Sequence, residues 1–450
     1  MQTEIAAEFA GTADGTEAEA ILRKCVHCGF CTATCPTYQL LGDELDGPRG
    51  RIYLIKQVLE GHAPTRATQI HLDRCLTCRN CETTCPSGVQ YGNLVEIGRR
   101  IVDERVPRPA GERALRWTLK EGLTSSLFAP AMKVGQALRG ALPGALKAKV
   151  PAAQPAGADA WPAREHARKV LLLAGCVQPA MLPNINSATA RVLDAAGIQT
   201  LVAAEAGCCG AIRLHTSDRD GALAQMRNNI DAWWPLVERG EVEAIVMNAS
   251  GCGVTVKEYG HSLAHDPSYA TKAGRIADLT RDISELLPEL VPLLRERLVL
   301  RRYSALPRSA GERAGFARPA GDRAAPPPRS PAERGRADSF APTRLAFHPP
   351  CTLQHGQRVR GVVETSLAAL GFDVSVATNE AHLCCGSAGT YSVLQPELAN
   401  ALRDRKIAHL DALEPATIVS ANIGCIQHLQ SGTTTPVRHW IEVLDDALAR

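Results

Sequence analysis

Two short cysteine-rich stretches near the N-terminus hold the side chains best suited to chemistry in this chain. Both follow the pattern C-x2-C-x2-C-x3-C-P, so each offers four thiols at fixed spacing before a proline. The stretches contain Cys25, Cys28, Cys31 and Cys35, and Cys75, Cys78, Cys81 and Cys85. Thiolates are soft ligands that suit iron–sulfur clusters, and three of them spaced by two residues can surround one face of an iron–sulfur cube.

The fourth cysteine of each stretch lies further along the chain and is expected to bind the other cluster. The spacing therefore predicts two [4Fe–4S] clusters that exchange their fourth ligands. The predicted ligands of cluster 1 are Cys25, Cys28, Cys31 and Cys85, and those of cluster 2 are Cys75, Cys78, Cys81 and Cys35.

Zinc and disulfide bonds are the alternatives for these cysteines. Structural zinc sites commonly use two C-x2-C pairs, so a third evenly spaced cysteine and a trailing proline have no role in them. Disulfides need an oxidising compartment, whereas residues 1–19 lack the apolar segment of a secretory signal peptide. We therefore expect metal-bound cysteines in a reducing, cytoplasmic setting.

The composition limits the class of protein. The chain has 450 residues, 16 cysteines and a formal net charge of +3. That length allows roughly two to four domains, and so small a charge gives no indication of a nucleic-acid partner. No stretch approaches the roughly 18 consecutive apolar residues of a membrane span.

The other eight cysteines follow predicted β-strands in two successive halves of the chain. They form a first CCG set and a second CCG set, which are Cys176, Cys208, Cys209 and Cys252, and Cys351, Cys384, Cys385 and Cys425. Each half runs strand, Cys, helix, Gly, strand, CCG, helix, strand, Gly-Cys, which predicts an internal α/β repeat with parallel strands. Since ligands bind at the carboxyl edge of such sheets, each set is a candidate metal site. Buried reduced thiols or a redox-active disulfide are the alternatives.

The predicted fold class is α+β and multidomain. The predicted segments are an α-helical two-cluster domain at 1–107, a connector at 108–167, a first CCG domain at 168–300, a disordered Arg/Pro-rich linker at 301–344 and a second CCG domain at 345–450. In the connector, apolar Leu127, Val134 and Leu138 alternate with basic residues. We predict that this stretch packs against its own core or a partner, and a basic amphipathic helix on a membrane surface is the alternative.

The layout resembles a known family. Two cluster motifs followed by two CCG repeats are typical of the iron–sulfur subunits of flavin-dependent 2-hydroxyacid and glycerol-3-phosphate dehydrogenases, and the match is closest to the glycolate oxidase (glycolate dehydrogenase) iron–sulfur subunit family. The residues that carry the resemblance lie at 25–55, 72–88, 206–211, 228–234, 249–253, 257–260, 351–356 and 383–391. The long helical segment between the motifs resembles the α-helical ferredoxin module of succinate dehydrogenase iron–sulfur subunits.

The resemblance implies an electron-transfer role within a hetero-oligomer. Separate FAD-binding subunits would oxidise glycolate to glyoxylate, and this chain would pass their electrons to quinone or another membrane electron carrier. It would then be cytoplasmic and peripheral on the inner face of the plasma membrane. The sequence agrees, since it has no G-x-G-x-x-G after a strand, no P-loop and no clear acid–base pair, so we predict no catalytic residue.

The CCG sets resemble those of heterodisulfide reductases, with one departure. A closing C-x2-C there supplies one more cysteine, whereas this chain has Thr255 and His428 at those positions. A four-thiolate cluster at each set, or no cluster, therefore stays open. Alternative functions are a thiol–disulfide enzyme at the CCG sets, or electron transfer for a flavoenzyme that oxidises lactate or glycerol 3-phosphate.

Other polar residues near the cysteines are predicted to support the fold. We expect His215, His348, His355 and His428 to be loop residues or indirect supports rather than metal ligands. We expect Lys257 and Glu258 to form a structural or solvated pair.

Overall fold

An all-helical domain at the N-terminus carries both cluster motifs. The structure is a computed structural model that describes residues 1–147, 149–155, 157, 159–304 and 343–449. The helices of the first domain are α1 (Ala13–Lys24), α2 (Phe30–Ala33), α3 (Pro36–Leu41), a 3-10 turn (Glu44–Asp46), α4 (Pro48–Leu59), α5 (Arg66–Asp73), α6 (Asn80–Thr84) and α7 (Tyr91–Arg105). The predicted apolar faces of α4 and α7 are buried against each other, with Ile55 and Leu94 fully enclosed. This packing confirms the helical prediction for the segment between the motifs.

Short helices form the connector. They are α8 (Ala110–Thr124), α9 (Phe128–Ala137), a 3-10 turn (Arg139–Ala141) and α10 (Gly144–Lys147). The predicted packing of Leu127, Val134 and Leu138 against the chain's own core is wrong, because these side chains are 72%, 59% and 57% exposed. Pro130 is accommodated in the first turn of α9, whereas Pro143 separates the 3-10 turn from α10, so the stretch consists of short pieces that do not bury all their apolar side chains. The partner and membrane alternatives therefore remain for this outer face.

The first CCG domain is built on a four-stranded parallel sheet with the order β2-β1-β3-β4. Its strands are β1 (Arg168–Leu172), β2 (Ile198–Leu201), β3 (Ala244–Met247) and β4 (Thr280–Asp282). The helices are α11 (Gln178–Met181), α12 (Asn184–Ala195), α13 (Ala211–His215), α14 (Arg219–Glu238), α15 (Ser250–Lys257), α16 (Tyr259–Ser262), α17 (Ala270–Leu279) and α18 (Ile283–Ser304). The central strands are continuous apolar runs because helices cover both faces of the sheet.

The second CCG domain repeats this topology with the order β6-β5-β7-β8, all parallel. Its strands are β5 (Arg344–His348), β6 (Asp373–Val376), β7 (Thr417–Ser420) and β8 (Val437–His439). The helices are a π-helical turn (Thr352–Gly356), α19 (Val362–Ala369), α20 (Tyr391–Leu394), α21 (Pro396–Asp411), α22 (Ile423–Gln430) and α23 (Trp440–Ala449). The predicted repeat is confirmed. The short fourth strands, β4 and β8, were not predicted, since three residues show no recognisable period.

The two CCG domains share one hydrophobic core. Buried side chains of α12, α18 and α23 pack together with those of β1 and β5 in one continuous cluster. Arg191 on α12 also forms an ion pair with Asp445 on α23 at 2.7 Å. The predicted start of the linker at residue 301 is too early, because α18 extends to Ser304. Residues 305–342 of the predicted linker lie outside the described residues.

Candidate iron–sulfur centres

Four thiols from the two motifs line each of two small cavities in the helical domain. Cys25, Cys28, Cys31 and Cys85 border one cavity, which Cys81 also touches. The other cavity is bordered by Cys35, Cys75, Cys78 and Cys81. The fold thus brings together the two ligand sets deduced from the spacing, including the exchanged fourth cysteines. Their assignment as cluster ligands stays a prediction.

Both motifs wrap their cavities with the same backbone path. The second and fourth residues after the leading cysteine have left-handed dihedrals, with φ of 56° at His27 and 85° at Gly29, and 51° at Thr77 and 59° at Arg79. The Thr77 N–H donates to Cys75 Sγ at 3.4 Å. Alternating left-handed residues turn successive thiols and amides inward, which explains why three cysteines spaced by two residues can face one cluster.

The cavity predicted to hold cluster 2 lies beside buried positive charge. Arg51 is 1% exposed and donates to Thr37 at 3.2 Å, which in turn lies 3.3 Å from Cys35 Sγ. Burial alone would raise the pKa of the Cys75 thiol, but Arg51 and Arg99 hold that pKa below its ordinary value. These arginines therefore favour the thiolate that a metal requires.

The cavity predicted to hold cluster 1 lies closer to the surface. Cys28 is exposed, and the neighbouring Val26 and Phe30 are 67% and 60% exposed. By contrast, Cys35, Cys75 and Cys81 are buried. The two centres therefore differ in their access to a partner.

The first CCG set lies at the carboxyl edge of its sheet, as predicted. Cys176 Sγ and Cys208 Sγ are 3.5 Å apart, and hydrogen bonding from Cys176 lowers the pKa of the Cys208 thiol well below its ordinary value. Asn229 and Tyr259 fix the CCG loop, since they donate to the carbonyl oxygens of Cys208 and Cys209, each at 2.9 Å. Sequence reasoning did not find this role, although both residues lie within stretches that carry the family resemblance.

The second CCG set has the same placement and additional polar neighbours. Cys351 Sγ and Cys384 Sγ are 3.6 Å apart. The ligand atoms of His348, Cys385 and Cys425 all lie within 4.8 Å of one another. Lys406 is 3% exposed, and its ammonium donates to the carbonyl oxygen of Glu380. Burial lowers the pKa of Lys406, whereas the thiols of Cys385 and Cys384 oppose that shift.

The two CCG sets face one apolar cavity of about 560 Å³. Seven of their eight cysteines, all except Cys385, and Cys78 of the second motif border it, and the connector closes another side. The bordering connector residues are Leu119, Leu123, Phe128, Met132, Lys149 and Val150. The inner face of the connector therefore lines this cavity, whereas its outer face is exposed.

The cluster 2 loop, which we define as residues 74–81, docks on the second CCG domain and also reaches the first through the ion pair of Arg79 with Glu258. Leu76 and Cys78 pack against Cys351 and Cys384 in one buried group. Asn80 donates to the carbonyl oxygen of His382 at 3.3 Å, and the Tyr391 hydroxyl of the second CCG domain donates to the carbonyl oxygen of Arg74 at 3.1 Å. These contacts bring cluster 2 next to the second CCG set.

Two other predictions can be compared with this geometry. His355 supports the fold, since its ring accepts from Arg360 at 3.0 Å and contacts the carbonyl oxygen of His382 at 2.8 Å.

The predicted pair of Lys257 and Glu258 is wrong. Lys257 bonds Glu285, and Glu258 forms a two-pronged ion pair with Arg79 of the cluster 2 loop. Adjacent residues on a helix point apart, so each found a partner elsewhere.

Within the part of the chain that the structure describes, no helix combines the length and the apolar character needed to cross a membrane.

Family models match three parts of the chain. A model described as a 4Fe-4S dicluster domain matches residues 21–89. A model described as a cysteine-rich domain matches twice, at residues 170–257 and 345–430. The thiol-lined cavities fit the first description, because eight soft donors are gathered four to a site. The cofactors of the helical domain are therefore two [4Fe–4S] clusters.

Three relatives extend these matches. The chain is 51% identical to the glycolate oxidase iron-sulfur subunit of Escherichia coli (strain K12), over the full length of both chains. It is 29% identical to the probable glycolate oxidase iron-sulfur subunit of Bacillus subtilis (strain 168), covering 92% of this chain and 89% of that protein. It is 24% identical to lactate utilization protein A of Geobacillus thermodenitrificans (strain NG80-2), covering 62% and 98%. The cysteine sets, the repeated topology and this full-length identity together show that the chain belongs to the glycolate oxidase iron–sulfur subunit family.

Proposed function

We propose that this chain is the electron-transfer subunit of a flavin-dependent glycolate dehydrogenase complex. FAD-binding subunits oxidise glycolate to glyoxylate, and this chain passes their electrons toward the membrane quinone pool. The observation that carries the proposal is the 51% identity to a glycolate oxidase iron-sulfur subunit along the whole chain. When bound, iron–sulfur clusters accept and donate single electrons, and the residues of this chain set their accessibility and surroundings.

The surface around Cys28 is the docking site that we propose for the flavin-bearing partner. Val26 and Phe30 flank the exposed Cys28 in the chain and are 67% and 60% exposed. Tyr53 is 46% exposed and lies edge-on to the neighbouring His27 ring, with ring centroids 6.5 Å apart. Exposed aromatic and apolar groups that gather in one place are typical of protein–protein interfaces. A partner bound there would bring its flavin near cluster 1.

The docking of the cluster 2 loop supports the inner end of the proposed electron-transfer route, where cluster 2 meets the CCG sets. Cys78 packs against the second CCG set, and Arg79 pairs with Glu258 of the first CCG domain while only 13% exposed. These contacts hold both CCG sets at a fixed place relative to cluster 2. Their thiols fit a soft metal centre, so we propose that each CCG set holds an iron–sulfur cluster as well.

The outer face of the connector supports a peripheral position on the membrane. Trp117, Leu127 and Val134 are 62%, 72% and 59% exposed on short helices that also carry basic residues. Apolar side chains between positive charges suit an anionic lipid surface. We expect flotation with anionic vesicles, and Leu127→Asp/Val134→Asp should abolish it, whereas Val202→Asp, at a 44% exposed position on the first CCG domain, should not. Equal flotation of all three proteins would contradict the membrane contact.

An anaerobic pull-down tests the function directly. The chain is purified from its host without oxygen, and dye reduction is assayed with glycolate, lactate and glycerol 3-phosphate in turn. The proposal predicts co-purified flavin and reduction that is fastest with glycolate. Absence of flavoprotein and of any substrate-dependent reduction would refute it, and a preference for another substrate would reassign the complex.

An iron and sulfide count on the same material tests the CCG sets. About eight irons per chain correspond to the two [4Fe–4S] clusters alone, and about sixteen to a further four-iron cluster at each set. We expect a wild-type count well above eight irons per chain. Cys209→Ser should lower this count, and because Cys209 lies outside the helical domain, the loss reports on the first CCG set. A count of about eight in the wild type would exclude clusters at the CCG sets.

A further inference from the structure

His348 is a buried histidine without a hydrogen-bond partner on its ring. It ends β5, is 1% exposed, and neither ring nitrogen has a partner among the residues that the structure describes. A buried polar group without a partner is costly, so such a group in a folded protein calls for an explanation. A neutral imidazole whose nitrogens have no partner has a free lone pair to offer a metal.

The position of the ring supplies the explanation. The ligand atoms of His348, Cys385 and Cys425 all lie within 4.8 Å of one another, and all three residues are buried. Cys351 and Cys384, the other members of the second CCG set, have their sulfurs 3.6 Å apart. A neutral imidazole beside soft thiolates is a donor that iron accepts.

The first CCG set lacks this nitrogen. Leu173 stands three residues before Cys176, as His348 stands three residues before Cys351. Leu173 is 4% exposed and belongs to the core of its domain. The two repeats thus share their cysteines and their topology, and at this position only the second offers a nitrogen donor. His428, which occupies the closing position of the second set, lies outside the 4.8 Å group and contacts the carbonyl oxygen of Ala399 at 3.0 Å.

We propose that His348 is a nitrogen ligand of an iron–sulfur centre in the second CCG domain, and that thiolates alone hold the centre of the first. The inference rests on the proposed function, because it requires clusters at the CCG sets. A neutral imidazole in place of a thiolate leaves the centre less negative, and histidine ligation raises the reduction potential of iron–sulfur centres. The buried cation of Lys406 acts in the same direction. The centre nearest to Cys78 is therefore the more strongly oxidising of the two.

Nitrogen hyperfine spectroscopy tests this assignment on the full-length, cluster-loaded chain. The anaerobically reduced protein, labelled with nitrogen-15 in histidine, should show coupling to a directly bound nitrogen. His348→Leu, which copies the residue of the first repeat, should remove the coupling and leave the signals of clusters 1 and 2 unchanged. His428→Gln is the matched control near the same thiols and should keep the coupling. His348→Cys controls for misfolding, because it keeps a metal-binding side chain at residue 348. This variant should retain its iron but show a lower midpoint potential at the centre of the second CCG domain.

The outcomes separate this inference from the proposed function. A wild-type protein without nitrogen coupling, a second CCG set that contains zinc or no metal, or coupling that survives His348→Leu would overturn the role of His348. Loss of the coupling in His428→Gln alone would identify His428 as the nitrogen ligand and would equally overturn the role of His348. In each case glycolate-dependent dye reduction by the complex would still stand. Conversely, nitrogen coupling without any glycolate-dependent reduction would refute the proposed function and leave the ligand assignment intact.

Discussion

Replacing Asp46 by asparagine should weaken the helical domain while every cysteine is left in place. Its carboxylate is fully buried and accepts from His71 at 3.1 Å and from Arg74 at 2.8 Å. It also lies 3.4 Å from the guanidinium of Arg51, which is 1% exposed. Arg74 immediately precedes Cys75, so this carboxylate ties the 3-10 turn to the second motif.

The expected loss follows from the burial of the pair. Removing one partner of a buried ion pair costs about 3–5 kcal/mol, since the other charge is left without compensation. Arg51 would keep its bond to the carbonyl oxygen of His71 at 2.7 Å, and Arg74 is 32% exposed, so we take the lower end. Asp46→Asn should then reduce the free energy of unfolding by about 3 kcal/mol, roughly a hundredfold in the folded-to-unfolded ratio.

Anaerobic urea unfolding of the cluster-loaded chain measures this change. Visible absorbance reports the clusters and far-ultraviolet circular dichroism reports the helices, and coincident transitions are required before a free energy is calculated. Glu19→Gln is the control, because its pair with Arg23 is exposed and worth less than about 1 kcal/mol. Asp46→Asn/Arg51→Met should cost less than the sum of its single changes. If Asp46→Asn unfolds at the same urea concentration as Glu19→Gln, the buried pair does not stabilise the domain and the reasoning fails.

Three further predictions concern the interface, the pH response and the second CCG loop. Phe30→Glu should weaken flavoprotein co-purification roughly tenfold or more, because it places a charge in the proposed interface, whereas Val202→Glu should not; equal yields would reject the docking site. Burial raises the pKa of Glu96 to about 7, so its neutral form favours folding at low pH and this stabilisation is lost as the pH rises through about 7. Glu96→Gln should therefore melt higher than the wild type at about pH 8 and show a flatter pH profile, and an unchanged slope would contradict this. Gly386 has φ of +89°, and a Cβ there would lie 2.4 Å from the carbonyl oxygen of Ala399. Gly386→Ala should thus lower the melting temperature and the iron content much more than Gly361→Ala does, because Gly361 has φ of +75° but open space around an added Cβ. Equal melting temperatures of the two variants would contradict this prediction and show that the loop relaxes.

The sequence by itself determined the cofactor chemistry and the repeated architecture. Cysteine spacing is a local property, and a C-x2-C-x2-C loop can present three thiols inward wherever it folds. The strands were equally readable, since a strand buried on both faces must be a continuous apolar run, as in 170–173. The strand ends were less readable, since the sequence places Cys176 and Cys351 directly after the first strand of each repeat, whereas β1 ends at Leu172 and β5 at His348.

Only the tertiary structure decided which groups from distant parts of the chain meet. Glu258 pairs with Arg79 rather than with its neighbour Lys257, and the connector turns its apolar outer face to solvent. His348 looked like any loop histidine in sequence, because nothing local states that its ring lacks partners or lies beside Cys385 and Cys425. Such pairings depend on how whole domains pack, and the energy that selects them comes from burial shared across many residues rather than from a local pattern.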